Sequence, residues 1–286
     1  MATGEYPSTL VRSYWTAALC GVLLTGSLAY AHEAQQVEPQ TGKAPDRPAA
    51  HRSTPRPKPS GYLEANRPFD GTKFLPPFPA AGSAAEAYDI AAWREALKGE
   101  NSVRWKQAVA DDATGLAQGL TQFQCAVGAS LNAANAPALM QLLGKVQLDS
   151  HWAVDSAKAH FGRPRPFANA PEAPICLNVP TAMRSKVATA YPGGHSTLGM
   201  AWGLVMTELA PDRGEQIMRR VRDYSESRLV CGIHYPSDLE AGHTLASGLI
   251  ARLHAEPQFR ADMEVARVEV ARARKVTTGA PASCAS

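Results

Sequence analysis

Ser227-Arg228-Leu-Val-Cys231-Gly232-Ile-His234-Tyr-Pro236-Ser-Asp238 is the stretch around which the rest of the chain organises. Residues 212–230 before it carry helical apolar spacing, and Cys231-Gly232 follows as a terminator. Pro236 stands where the first turn of a helix tolerates proline, because an N–H there has no intrahelical partner anyway. The stretch therefore predicts a junction between two helices, with Arg228 closing one and His234 at the start of the next. Asp238 lies four residues after His234, one turn further along the same face. A carboxylate there accepts a hydrogen bond from one ring nitrogen and leaves the other as a nucleophile. The same pair also suits a capping aspartate beside a structural histidine, and the segment alone does not separate the two.

Outward from this junction the pattern stays helical. Ser83 followed by Glu86 reads as a capping-box start to a helix running to about residue 98. Asn101 is placed as the cap of a second helix through Asp111, and a third is expected over 112–127. The segment 136–160 repeats apolar residues at helical spacing (Leu139, Leu142, Leu143, Val146, Val154). After a Pro-rich break at 164–174, helices are predicted near 181–189, 195–209, 212–230, 236–255 and 257–274. Alternating strand patterns are nearly absent, so the predicted fold is all-α, a single-domain helical bundle over 61–275. Asp111-Asp112 and the basic run around 267–275 read as solvated helix faces.

The ends of the chain differ from this body. Arg12 precedes an apolar run from Trp15 to Tyr30, closed by Ala29-Tyr30-Ala31. The small-x-small ending reads as a secretory signal peptide over 1–31, and the run is short for a membrane span. Residues 32–60, rich in Pro, Gln and charge, read as a flexible lead, and 276–286 as a C-terminal tail. Export implies a periplasmic or secreted protein with no membrane attachment after cleavage. Of 286 residues 45% are hydrophobic and 19% charged, and the net charge is +3. That charge is too small for a nucleic-acid partner and compatible with a small anionic substrate. The oligomeric state stays open, a homo-oligomer included.

Two further segments carry chemistry. Lys158-Ala-His160-Phe-Gly-Arg163-Pro-Arg165-Pro166 gathers three cations, and guanidinium groups bind phosphate oxygens bidentately. Tyr191-Pro192-Gly193-Gly194-His195-Ser196 is a glycine turn running into a helix, where backbone N–H groups can approach an anion and His195 can act as an acid. Each segment alone reads as an ordinary basic loop or glycine cap. Together they supply two histidines, a carboxylate and several cations, the parts needed for phosphoryl transfer without a metal. No cluster has zinc or calcium spacing, and no cofactor is expected.

The three segments resemble the signature of the type 2 phosphatidic-acid phosphatase and vanadium haloperoxidase superfamily: Lys-x6-Arg-Pro, Pro-Ser-Gly-His and Ser-Arg-x5-His-x3-Asp. Lys158 and Arg165 fit the first spacing, which leaves Arg163 outside it; Pro192, Gly194 and His195 fit the second; Ser227, Arg228, His234 and Asp238 fit the third. Outside the motifs the chain is similar to the secreted class A bacterial non-specific acid phosphatases, from Gly61-Tyr62-Leu63 and Leu75-Pro-Pro-Phe-Pro79 to about Phe259. The resemblance implies an acid phosphatase acting on small phosphate monoesters. Lys158, Arg165, Arg228 and the amides of Gly193 and Gly194 hold the phosphoryl oxygens. His234 forms a phosphohistidine, Asp238 orients it, and His195 protonates the leaving group. A vanadium-dependent haloperoxidase and a non-catalytic phosphate-binding protein are the alternatives. The family serine of the second motif is Gly193 here, which removes one hydroxyl from the phosphate site. His160 and His243 match no catalytic position, and His151 and His254 read as ordinary helix residues. With Cys20 removed in the signal peptide, Cys125, Cys176, Cys231 and Cys284 allow three complete pairings; Cys176–Cys231 is preferred, because it would tie two active-site loops together.

Overall fold

The computed structural model describes residues 60–63, 69–177, 189–276 and 284. Ser83 opens α1 (Ala84–Leu97): its Oγ accepts from the Glu86 N–H at 3.1 Å, and the Glu86 carboxylate accepts from Gly82 N–H at 2.6 Å. These bonds satisfy donors that a helix start leaves without intrahelical partners. In α2 (Val103–Ala110) the cap is Ser102, whose Oγ accepts from Trp105 N–H at 3.1 Å. Asn101, expected as the cap, sits one residue earlier with φ 64°, a left-handed conformation that asparagine tolerates.

The single helix expected over 112–127 is two short ones, α3 (Leu116–Thr121) and α4 (Gln124–Val127). Gln122 O, between the two, accepts from Arg220 Nε at 2.8 Å. The late start of α3 traces to three consecutive carbonyls. Those of Asp112, Ala113 and Thr114 accept from His195 Nε2 (3.1 Å), the Tyr224 hydroxyl (3.2 Å) and Gln147 Nε2 (2.8 Å). Oxygens claimed by side chains of other helices hold 112–114 out of the helix.

α5 (Pro137–Phe161) buries Leu139, Leu142, Leu143, Val146, Ala153, Val154 and Ala157 along one stripe. Its start lacks a local side-chain cap; instead Leu139 N–H donates to Glu269 of α9 (Pro257–Val276) at 3.0 Å. Gly162, at φ 63°, ends it. α6 (Gly194–Leu209) touches α5, α7 (Gly214–Val230), α8 (Pro236–Leu253) and α9. It is buried almost all round, through Leu198, Ala201, Trp202, Val205, Met206 and Leu209. Each such side chain contributes about 1.5–3 kcal/mol when fully removed from water. α6 and α7 approach so closely that a Cβ at Gly203 would lie 2.1 Å from Val221.

There is no strand among the described residues, and the fold is the all-α bundle expected. The helices belong to one compact unit. None is long and apolar enough to cross a membrane. The proposed signal peptide, nearly all of the lead, and 181–188 of a predicted helix lie outside the described residues. Cys176 is bonded to Cys231 (Cα–Cα 4.7 Å), the preferred pairing, and Cys125 to Cys284 (5.4 Å), which ties the tail to the bundle.

Asp149 of α5 clamps the start of the described chain: its carboxylate, 1% exposed, accepts from Tyr62 N–H at 2.8 Å and Leu63 N–H at 3.2 Å. Burial pushes its pKa up to about 6, against the two hydrogen bonds. A carboxyl whose pKa rises on folding favours the folded state most below its unfolded value, and the benefit disappears as pH climbs through the folded value. Asp149 should therefore cost about 3 kcal/mol between roughly pH 4 and 6. Urea unfolding across that window should show a shallower loss of stability with rising pH in Asp149→Asn than in wild type; identical slopes would place the effect elsewhere.

Candidate active site

The α7–α8 turn sets His234. Gly232, at φ 72°, and the Ile233 N–H bond to Arg228 O (3.2 Å) reverse the chain directly after α7. Asp238 sits in the first turn of α8, where its Oδ2 accepts from Tyr235 N–H at 2.8 Å and from His234 Nδ1 at 3.2 Å. Asp238 is thus both a helix cap and the histidine's partner. His234 Nε2 lies 3.1 Å from Arg165 Nη1. A guanidinium only donates, so Nε2 presents its lone pair and Nδ1 carries the proton. Burial, then the Arg165 and Lys158 charges, hold the imidazole far below its ordinary pKa, so it stays neutral.

Arg165 meets that lone pair, and the charges of Lys158 and Arg228 act on the same ring. Lys158, in the last turn of α5, donates to Thr189 O at 2.8 Å, and burial beside Arg165 lowers its pKa to about 8. Arg165 also donates to Ile233 O at 3.0 Å. Arg228 is fully buried and donates through Nη1 to Asp112 Oδ1 at 2.6 Å. Burial and the cluster's mutual repulsion favour a bound anion here.

His195 opens α6 on the other side. Its Nε2 donates to Asp112 O (3.1 Å), and burial followed by the Arg228 charge pushes its pKa down to about 4. The Gly193 amide, expected to hold a phosphoryl oxygen, instead donates to Asp238 O at 2.8 Å and is spoken for. The contact locks the start of α6 to the start of α8. The following first-turn amides, Gly194 among them, have no acceptor within the helix and point out of its positive end. A Cβ at Gly193 would lie 3.1 Å from both Asp238 O and Ser196 Oγ, and that buried hydroxyl has no hydrogen-bond partner.

The PAP2 superfamily pattern matches residues 131–260, which span all three motifs. An acid phosphatase of Zymomonas mobilis is 36% identical over 205 residues, 72% of this chain and 77% of the relative. The chain belongs to the PAP2 superfamily. A non-specific acid phosphatase of Providencia stuartii is 34% identical over 75% of this chain and 86% of its own length, and one of Salmonella typhimurium is 30% identical over 69% and 78%.

The PAP2 motifs do not name everything that the site uses. Of Asp111 and Asp112, expected on a solvated face, Asp111 is fully buried against Arg220 and the Ser227 hydroxyl, while Asp112 stays half-exposed and still serves the site, its carboxylate accepting from Arg228 and its backbone carbonyl from His195. Their charged partners Arg220 and Arg228 lie more than a hundred residues away, so local sequence carries no trace of these ion pairs. Arg163, outside the motif spacing, is 5% exposed and ion-paired to Asp238 and to Asp89 of α1. His243 Nε2 pairs with Ser225 Oγ at 2.7 Å, His254 lies 3.1 Å from Glu208, and the His160 ring packs on Phe161; none of the three is brought to His234. No group of three or more potential metal ligands occurs among the described residues.

The close crossing of α6 and α8 yields a test remote from the reacting groups. A Cβ at Gly242 would lie 2.7 Å from Gly193 O and 3.0 Å from Thr197 N, both backbone atoms. Gly242→Ala should cost about 1–3 kcal/mol in denaturant unfolding and lower turnover by prising the two helix starts apart. Unchanged stability and turnover would show that this crossing yields freely.

Proposed function

We propose that this protein is a phosphoric monoester hydrolase, a periplasmic or secreted acid phosphatase that works through a phosphohistidine on His234 without a metal ion. The observation that carries the reading is the unprotonated Nε2 of a neutral, carboxylate-held imidazole, aimed at Arg165 within the field of Lys158 and Arg228. The named activity of the relatives supports it, and their match along most of the chain favours hydrolysis over halide oxidation or mere phosphate binding.

The residues act in order. Phosphate oxygens take over the Arg165, Arg228 and Lys158 donors, with the first-turn amides of α6 from Gly194 on, and release the Nε2 lone pair. Nε2 attacks phosphorus in line, the ester P–O bond breaks, and protonated His195 gives its proton to the departing oxygen. Asp238 balances the charge formed on His234. His195 then takes a proton from water, whose oxygen displaces His234 and frees phosphate.

Protonation of His195 is the demanding step, because its pKa of about 4 leaves it neutral at higher pH in the free enzyme. A bound phosphate dianion offsets Arg228 and raises that value. The basic limb of kcat/KM should therefore lie at lower pH than that of kcat, within bell-shaped profiles. Flat profiles from pH 4 to 9 would rule out the paired-histidine scheme. His234→Ala should remove turnover of a chromogenic monoester, chelators should leave it intact, and vanadate should inhibit it. Halide oxidation gained with vanadate would instead identify a haloperoxidase, and no wild-type turnover a binding protein.

A further inference from the structure

Arg163 and Arg165 are separated by one proline and followed by another, Arg163-Pro164-Arg165-Pro166. Residues before proline are held extended, and Arg165 is so at φ −70°, ψ 153°. Side chains two apart on such a backbone need not serve one target, and here they reach opposite ends of the His234–Asp238 pair. Arg165 meets His234 Nε2, whereas Arg163 Nη1 donates to Asp238 Oδ1 at 2.6 Å and to Ser237 Oγ at 2.8 Å. The other arm, Nη2, donates to Asp89 Oδ2 at 2.7 Å. Asp89, 1% exposed in α1, also accepts from Ser237 N–H at 3.1 Å and from the Ser237 hydroxyl. The guanidinium lies over Tyr235 at 4.4 Å and beside Phe78 at 5.2 Å, and the Arg163 carbonyl accepts from Ala190 N–H at 2.8 Å. The side chain is thus held by two carboxylates, a hydroxyl and two aromatic rings.

We propose that Arg163, clamped by Asp89, is a positioning residue that keeps the Asp238 carboxylate ionised and aimed at His234. The proposal rests on His234 being the nucleophile. Asp238 is fully buried, and burial pushes its pKa up, with the Arg163 charge the largest influence opposing this. The charged and titratable groups facing it are His234 and Tyr235 beside it, Lys158 from α5, Arg163 and Arg165 from the following loop, and Tyr191 before α6. Of the cations, Arg163 makes the hydrogen-bonded ion pair with this carboxylate, so its loss leaves Asp238 prone to take up a proton at acid pH. A protonated Asp238 holds Nδ1–H less well, and the nucleophile loses both orientation and charge support. Lysine lacks the fork that spans both carboxylates.

The test compares wild type, Arg163→Met, Arg163→Lys and Asp89→Asn in kcat, KM and trapped phosphoenzyme from pH 4 to 8. Expected for Asp89→Asn is a fall in kcat of about tenfold, with KM within about twofold and the acidic limb of kcat moved to higher pH, as befits weaker support of an ionised group. Arg163→Met should show a larger fall in the same direction, and Arg163→Lys should recover only part of it. Should Arg163→Met fail to fold, Asp89→Asn decides alone. A rise in KM at constant kcat would overturn the proposal and make Arg163 a phosphate ligand. So would a fall in kcat with an unmoved acidic limb, or wild-type behaviour of Asp89→Asn. Failure of the underlying reading is distinguishable, because wild type would then give no trapped phosphoenzyme at any pH.

Discussion

The carboxylate of Asp238 is the constraint on which the site depends. One residue caps α8 through Tyr235 N–H, orients His234 through Nδ1, and receives Arg163, while its backbone carbonyl takes the Gly193 amide. A buried carboxylate is tolerable only when its lone pairs are filled and its charge is met. The surroundings meet that demand, and in doing so they fix the starts of α6 and α8 and the loop after α5 in one arrangement. His234 inherits its geometry from a charge that must be neutralised in any case.

Polarity at the helix ends adds to this. Lys158 and Arg228 stand in the last turns of α5 and α7, where the helix dipole favours cations, and His195 and Asp238 stand in the first turns of α6 and α8. The Gly193–Asp238 and Arg165–His234 contacts bring both kinds of end together. Basic side chains and outward-pointing amides then converge on one place, joined by Arg165 from the proline-fixed loop after α5, and Asp111, Asp112 and Asp89 pair with the arginines around it.

Much of this was legible in the sequence wherever a signal is local. The stripe of α5, the Pro236 start, the Gly232 stop and the one-turn spacing of His234 and Asp238 all act over a few residues. What escaped is non-local. The break at 112–114 exists because three carbonyls serve His195, Tyr224 and Gln147. The Gly193 amide is taken by a carbonyl forty-five residues on, and Arg163 gains its partner from Asp89, seventy-four residues earlier. Nothing in the flanking residues encodes such pairs; they exist only once the helices pack.

The order of the bonded cysteines along the chain has a bearing on how the protein matures. A chain emerging from its N-terminus presents Cys125, Cys176 and Cys231 before Cys284, the partner of Cys125, leaves the ribosome. Among those three, oxidation that runs ahead of synthesis can make one native pair or either of two mispairs. The separations are 55 residues for Cys176–Cys231 and 159 for Cys125–Cys284, so the shorter loop is also the less costly to close by chance. Correct maturation calls for Cys125 to wait as a thiol until the last cysteine arrives, or for an isomerase to correct an early mispairing.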